Sequence, residues 1–117
     1  RNNGKTWRLM TPAELERLAI LAEECGEVQQ IIGKILRHGY DSHNPFDPNR
    51  VNNRLLLERE LGDLSFAVNF LADKGDINLL SVRGHMTTKE DNIGQYLHYN
   101  TVEKKEPANH EDLPDSQ

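Results

Sequence analysis

The chain has 117 residues, a formal net charge of −5 and a pI of about 5.5. This size fits one domain with a modest core, and the acidic balance argues against a nucleic-acid partner. No apolar run approaches the roughly 18 residues that span a bilayer, and no signal peptide is visible. The single cysteine, Cys25, excludes an internal disulfide and fits a reducing compartment. We therefore expect a soluble cytoplasmic protein without a membrane partner, in which Cys25 is a small core residue.

The first predicted element is a long helix that begins after Thr11. Thr11 is a suitable N-cap, and Glu14 supplies the acid of a capping box. Apolar residues then recur at helical spacing over residues 15–36, and Gly39 tolerates the left-handed conformation that ends many helices. The polar, proline-containing stretch YDSHNPFDPNRVNN, residues 40–53, predicts a loop.

The second predicted helix covers about residues 51–72 and is closed by Gly75. The short segment INLLSV, residues 77–82, fits a strand or a helix. We favour a third helix because nothing else in the chain offers a strand partner.

A last helix is predicted over KEDNIGQYLHYN, with Thr87 or Thr88 as its N-cap. Residues 103–117 are polar and acidic and are predicted to form a C-terminal tail, either as a loop or as a docked extension. The sequence therefore predicts an all-α protein with one domain over residues 1–102.

Carboxylates lie on the apolar side of both long helices. At about 100° per residue, Glu24 and Glu27 share one sector of the first helix, and Glu23 lies at its edge. Glu60 and Asp63 occupy the corresponding sector of the second helix. The apolar members of these two sectors are Ile20, Leu21, Val28, Ile31 and Ile35 on the first helix, and Leu56, Leu57, Leu64, Ala67 and Leu71 on the second.

Two helices joined by one loop usually pack antiparallel, which would bring these four inward carboxylates together. Such groups must either hold protons through raised pKa values or hold cations. Oxygen-only ligands suit hard cations such as Mg²⁺ or Mn²⁺, and the Glu-x-x-His pairs of di-iron bundles are absent at these positions. The alternative is that the acids are solvated faces of helices in a larger assembly.

The stretches EECGEV, residues 23–28, and ERELGDL, residues 58–64, resemble the EExxE and ExxD motifs of the MazG-type all-α nucleoside triphosphate pyrophosphohydrolases. RHGYDSHNP and NNRLLLERELGDLSFAVNFL are similar to the small single-domain members, including virus-encoded ones, and the resemblance covers about residues 12–100. It implies an antiparallel helical bundle completed by oligomerisation, as a homodimer or homotetramer. It also implies metal-dependent cleavage of a nucleoside triphosphate into a monophosphate and pyrophosphate.

The resemblance also implies roles for the acidic residues. Glu24, Glu27, Glu60 and Asp63 are the expected ligands of two or more Mg²⁺ ions, with Mn²⁺ as a substitute. Glu23 matches the first Glu of the EExxE motif and is the candidate general base for the attacking water. The competing interpretation is that Glu23 is an ordinary surface acid.

Basic residues are the expected partners of the substrate phosphates. Lys34 follows Glu27 by about two turns and is the first candidate, with Arg37 and His38 at the helix end and Lys89 on the last helix as further ones. Each of them is otherwise a solvated cation, which a helix C-terminus favours in any case.

The nucleotide itself is not determined by these residues. Some virus-encoded relatives favour guanine deoxynucleotides, which gives a weak preference for dGTP or GTP. Two alternatives stay open: a related all-α hydrolase acting on dUTP or a phosphoribosyl-ATP-type substrate, and a non-catalytic helical assembly protein whose acids bind a structural cation.

Overall fold

The computed structural model describes residues 8–103 of the chain. The chain forms two compact units, Arg1–Asn78 and Leu79–Gln117. The helices are α1 (Pro12–His38) and α2 (Asn53–Asp73) in the first unit, and α3 (Leu79–Ile93) followed by a 3₁₀ helix (Gly94–Tyr96) in the second. Within the described residues the β pairing is limited to an isolated bridge between His43 and Asn52. The predicted all-α class is confirmed, whereas most of the predicted tail, residues 104–117, lies outside the described part.

The start of α1 has the predicted capping box. The Thr11 hydroxyl accepts the backbone N–H of Glu14 at 3.1 Å, and the Thr11 N–H donates to the Glu14 carboxylate at 3.0 Å. At the other end, Gly39 has a φ of 87° and its N–H donates to the carbonyl of Ile35. The 27 residues between these signals rise about 40 Å, so α1 is the longest helix among the described residues.

α2 begins slightly later than predicted because Asn52 caps it. The Asn52 side-chain oxygen accepts the N–H of Leu55 at 2.9 Å, which places the first helical residue at Asn53. At the C-terminal end, Gly75 has a φ of 82° and the N–H of Asp76 returns to the carbonyl of Leu71 at 2.9 Å. This turn closes α2 near the predicted position.

The predicted antiparallel arrangement of α1 and α2 is confirmed by a polar contact at each end of the pair. Near the start of α1, the Arg17 guanidinium holds Asp76, which follows α2, at 2.6 and 3.0 Å. At the opposite end, the side-chain N–H of the buried Asn53 donates to the carbonyl of Gly39 at 3.0 Å. The chain therefore reverses direction between the two helices, and their facing sides form the interior of the first unit.

The interior of the first unit is thin. Ile31, Ala67 and Leu71 are buried, and the seven other apolar residues predicted to face inward, Ile20, Leu21, Val28, Ile35, Leu56, Leu57 and Leu64, are half-buried. The predicted apolar sectors are thus confirmed.

A single α1–α2 pair covers only one side of each helix. Leu36 is 81% exposed and Phe66 61% exposed, and Leu15, Leu18, Ile32 and Leu61 are exposed as well. The expectation that Cys25 is a core residue is wrong, since its side chain is exposed. Cys25 lies about 100° around the helix from Glu24 and therefore outside the side that α2 covers.

The second unit differs from the prediction because one helix replaces two. Thr87 and Thr88 are inside α3, where their hydroxyls donate to the carbonyls of Arg83 and Gly84 at 3.3 and 3.2 Å. A threonine hydroxyl that bonds the carbonyl four residues earlier is compatible with a continuous helix, so neither threonine is an N-cap. α3 also ends at Ile93 rather than near Asn100, and the helical geometry tightens to the 3₁₀ form at Gly94.

Candidate metal centre

The four predicted carboxylates meet halfway along the α1–α2 pair. Glu24, Glu27, Glu60 and Asp63 each offer one carboxylate oxygen, and these four oxygens lie within 4.8 Å of one another. Each helix contributes two residues spaced by three positions, which places both on the same side of that helix. The three glutamates are half-buried, whereas Asp63 is exposed and forms the open side of the cluster.

Two oxygens of this cluster are buried without a protein partner, namely Oε2 of Glu24 and Oε2 of Glu60. Burial raises the pKa of Glu24, and the neighbouring Glu27, Asp63 and Glu60 raise it further. Hydrogen bonding to Glu27 raises the pKa of Glu60, as do burial and the charges of Glu27 and Asp63. The cluster therefore disfavours full ionisation unless positive charge is supplied from outside the described chain.

No cationic side chain among residues 8–103 forms an ion pair with any of the four carboxylates. The ion pairs found there join Arg8 to Glu14, Arg17 to Asp76 and Arg54 to Asp41. Buried acceptor oxygens without donors, in a set made only of carboxylates, fit a hard divalent cation. The residues that could hold such an ion are the four that the sequence predicted.

A cavity of about 330 Å³ borders the cluster on the side of Glu27 and Glu60. Its lining residues are Glu27, Gln30, Ile31, Lys34, Leu56 and Glu60. The structure thus places Lys34, which is half-buried, in one cavity with two of the carboxylates. Gln30 was not predicted as a site residue, although its position three residues after Glu27 puts it on the same side of α1.

A second, smaller recess of about 210 Å³ lies between the end of α1 and the loop before α2. It is lined by Lys34, His38, Ser42, His43, Asn44 and Pro45. Lys34 lines both this recess and the carboxylate cavity. The loop residues were not singled out in the sequence, because their place beside the site depends on how the loop folds back onto α2.

The remaining predicted residues lie outside the two cavities. Glu23 is exposed, next to Glu24 in the chain, and its carboxylate makes no hydrogen bond within residues 8–103. Arg37 is exposed at the end of α1 and lines neither cavity. Lys89 lies on α3 in the second unit, where it borders a surface groove with Met86. The roles of these three residues stay predictions.

The family model of the MazG nucleotide pyrophosphohydrolase domain matches residues 13–92. The matched segment includes all four carboxylates, the loop with the second recess and nearly all of α3. No curated protein and no solved structure matches the chain significantly. Within residues 8–103, none of the helices combines the length and the apolar character that crossing a bilayer requires.

Proposed function

The chain belongs to the MazG nucleotide pyrophosphohydrolase family, and on that premise we propose that it hydrolyses nucleoside triphosphates, ribo- or deoxyribo-, to monophosphates and pyrophosphate. The cofactor in this proposal is Mg²⁺, at two or more ions per site, with Mn²⁺ as a substitute. The observation that carries it is the pair of buried, unpartnered oxygens of Glu24 and Glu60 in a cluster of four carboxylates. A triphosphate adds further negative charge, so cations are needed between the cluster and the substrate.

The metal ligands in this proposal are Glu24, Glu27, Glu60 and Asp63. When bound there, divalent cations polarise the phosphates and lower the pKa of a coordinated water. Glu23 is exposed and adjacent in the chain to Glu24, so it can accept a proton from solvent without being a ligand itself.

The bond changes follow from attack by water at the α-phosphorus. The water oxygen forms a bond to that phosphorus while Glu23 takes the water proton. The bond from the α-phosphorus to the oxygen that bridges to the β-phosphorus breaks, and its electron pair leaves with pyrophosphate. Lys34, half-buried beside the carboxylates, offsets part of the phosphate charge. Arg37, His38 and Lys89 are further proposed phosphate partners.

The test is pyrophosphate release from each of the common NTPs and dNTPs with Mg²⁺, repeated after exhaustive chelation. Release that depends on the metal supports the proposal, and activity that survives chelation contradicts it. In ¹⁸O-labelled water the label should enter the monophosphate. Label in orthophosphate, with a nucleoside diphosphate as product, would show that water attacks the γ-phosphorus and would contradict the proposed cleavage between the α- and β-phosphates. The weak preference for dGTP or GTP, which rests only on the resemblance to virus-encoded members, is decided by the same panel.

We also propose a homodimer or homotetramer in the cytoplasm. Ile31, Ala67 and Leu71 are the only buried apolar side chains among the described residues, while Leu36 and Phe66 remain largely exposed. Association of several copies would cover such apolar surface and enlarge the core. Sedimentation equilibrium of the full chain measures the assembly directly, and a monomer at micromolar concentration would contradict it.

A further inference from the structure

The cavity that borders the carboxylate cluster contains side chains that have no role in the proposed function. Its lining combines two carboxylates, two apolar side chains, an amide and an ammonium, from Glu27, Glu60, Ile31, Leu56, Gln30 and Lys34. The carboxylates are proposed metal ligands, and Lys34 is a proposed phosphate partner. The amide of Gln30 and the apolar side chains of Ile31 and Leu56 are left to contact another part of the substrate.

The lining residues follow one another along the helix pair. Gln30 and Lys34 follow Glu27 by three and seven positions, so all three lie on one side of α1. The rise from Glu27 is about 4.5 Å to Gln30 and about 10 Å to Lys34. On the antiparallel α2, Leu56 lies one turn before Glu60 and therefore on the loop side of the cluster as well. The cavity thus leads from the carboxylates past Gln30 to Lys34.

Apolar side chains form the middle of this cavity. Ile31 is 7% exposed and Leu56 is half-buried, so the α1–α2 interior holds both in place. A phosphate group gains nothing from apolar surface and loses water by contacting it. The sugar and the base of a nucleotide have apolar faces, and apolar walls with a few polar groups are the usual lining of a small-molecule site. The middle of the cavity therefore suits the nucleoside rather than the phosphates.

Gln30 places a neutral amide at the edge of these apolar walls. Its side chain is exposed, and within residues 8–103 its amide makes no hydrogen bond. A primary amide has a carbonyl acceptor beside two N–H donors, which matches the neighbouring acceptor and donor groups on the edge of a nucleobase. Phosphate oxygens only accept hydrogen bonds, so a phosphate would leave the amide carbonyl without a partner.

Distances along α1 also favour the base over the outer phosphates as the partner of Gln30. The α-phosphorus belongs at the metal cluster, and Gln30 lies six residues beyond Glu24, a rise of about 9 Å. In an extended nucleotide the hydrogen-bonding edge of the base lies at a comparable distance from the α-phosphorus, whereas the β- and γ-phosphorus atoms lie closer. Lys34 keeps its proposed role, because long helical side chains point back toward the helix N-terminus, which brings its ammonium toward Glu27.

We propose that Gln30 hydrogen-bonds the edge of the nucleobase, while the sugar and the face of the base pack on Ile31 and Leu56. The inference rests on the proposed function, and it adds these three residues as nucleoside contacts. The pyrophosphate half of the substrate then lies outside the middle of the cavity.

The test is calorimetric binding of three ligands to the full chain in the presence of Mg²⁺: a nucleoside monophosphate, ribose 5-phosphate and pyrophosphate. All four common monophosphates are measured, and the one that binds most tightly to the parent protein is used. Gln30→Ala should weaken its binding about tenfold, the expected cost of losing two hydrogen bonds to neutral groups. Ribose 5-phosphate has no base, so its affinity should stay within about twofold, as should that of pyrophosphate.

The matched control is Gln29→Ala. Gln29 is exposed and lines neither the carboxylate cavity nor the recess beside it. The same substitution one position earlier in α1 changes the intrinsic helix propensity equally. It should leave the binding of all three ligands unchanged. Melting temperatures of both variants are measured alongside, and equal values would assign a difference in binding to the cavity rather than to stability.

Parental monophosphate affinity in Gln30→Ala would overturn the inference. An equal loss for ribose 5-phosphate would also overturn it and would assign Gln30 to the sugar or its phosphate. A loss for pyrophosphate alone would assign the cavity to the leaving group. Failure of the proposed function is recognised separately, since the parent protein would then release no pyrophosphate from any nucleotide.

Discussion

Near the start of α1 and the end of α2, carboxylates have guanidinium partners, whereas halfway along the same two helices they have one another. Arg8 holds Glu14 at 2.8 and 3.0 Å, and Arg17 holds Asp76 in the same two-bond manner. Hydrogen bonds from Arg8 and from Thr11 lower the pKa of Glu14 to about 2, and Arg17 lowers that of Asp76. In the middle, the pKa values of Glu24 and Glu60 are raised instead.

This contrast distinguishes two roles of a carboxylate side chain, one structural and one at the candidate site. A carboxylate with a bidentate arginine partner is satisfied within the fold and contributes to stability. A half-buried carboxylate beside three others is not satisfied there, and the fold tolerates it at a cost. Since both regions lie on one helix pair, the difference in partners, rather than in residue type, distinguishes the site from the scaffold.

The largest expected effect comes from making the same substitution in both regions. Glu24→Gln removes the charge of a proposed metal ligand, so turnover should fall by about a thousandfold and Mn²⁺ affinity should fall with it. Glu14→Gln should retain parental turnover and Mn²⁺ affinity, and should lower the melting temperature because it weakens the capping box and the Arg8 contact. Steady-state kinetics and Mn²⁺ calorimetry measure both outcomes. Equal losses of turnover in the two variants would contradict the claim that the clustered carboxylates, rather than those paired with arginine, support activity.

Glu23→Gln separates the proposed role of Glu23 as general base from the proposed role of Glu24 as metal ligand. A glutamine cannot accept the proton of the attacking water, so turnover should fall by roughly two orders of magnitude while Mn²⁺ and nucleotide still bind. Because it also removes a charge next to Glu24 and Glu27, this variant should be at least as heat-stable as the parent protein without metal. Near-parental turnover would make Glu23 a surface acid. Loss of metal binding would instead make it an additional ligand.

The contribution of the carboxylates that have arginine partners is tested by comparing two ion pairs that differ in burial. Asp76→Asn leaves the Arg17 charge half-buried without its partner and should lower the melting temperature by several degrees. The matched change Asp41→Asn removes an ion pair whose side chains are 52% and 84% exposed, so it should shift the melting temperature by no more than about 1 °C. Thermal denaturation followed by circular dichroism separates them. A small effect of Asp76→Asn would show that the pair contributes little to stability.

The two regions should also respond to pH in opposite directions. Glu14 has a lowered pKa, so its contribution to stability is present above about 4.5 and is lost as the pH falls toward about 2. Glu24 and Glu60 have raised pKa values, so their contribution is present below about 4.5 and is lost as the pH rises through those raised values.

Without metal, the melting temperature should therefore decrease by a few degrees from mildly acidic to neutral pH. Saturating Mg²⁺ should remove this decrease, because it favours the ionised carboxylates. The Glu24→Gln variant should show a flatter profile without metal. A melting temperature that rises steadily to pH 7 in metal-free parent protein would contradict the raised pKa values.

The clustering of the four carboxylates could be predicted from the sequence because a helix has a fixed period. Glu24 and Glu27 share an apolar side with Ile31, and the structure places that side against α2. The recess residues Ser42 and His43 could not be found in the same way, because a loop has no period. Their position depends on the hydrogen bond from the Asn53 N–H to the Ser42 carbonyl and on the β-bridge between His43 and Asn52, which the loop sequence does not reveal.

Two incorrect predictions have related physical causes. Thr87 and Thr88 suit an N-cap in sequence, but a threonine hydroxyl can equally bond a carbonyl within a helix, and α3 uses the second option. The prediction that Cys25 is a core residue assumes that α1 is covered on that side, but the α1–α2 pair covers a different side of α1 and leaves Cys25 exposed. The threonines thus bond to carbonyls within their own helix, whereas the exposure of Cys25 follows from which side of α1 packs against α2.

The four carboxylates of the cluster are divided equally between the two helices, so the candidate site also bears on how the helices are held together. Glu24 and Glu27 come from α1, and Glu60 and Asp63 come from α2. An ion bound by all four would therefore add a link between two helices that are otherwise held by their loop, a few polar contacts and a thin apolar interior. The neighbouring interior contains few buried side chains, so the cost of separating the helices without that ion is correspondingly small. Amide hydrogens at the facing turns of α1 and α2 should then exchange with solvent markedly faster after chelation than before it. The α1–α2 pair would thus be most rigid when the metal ions are bound.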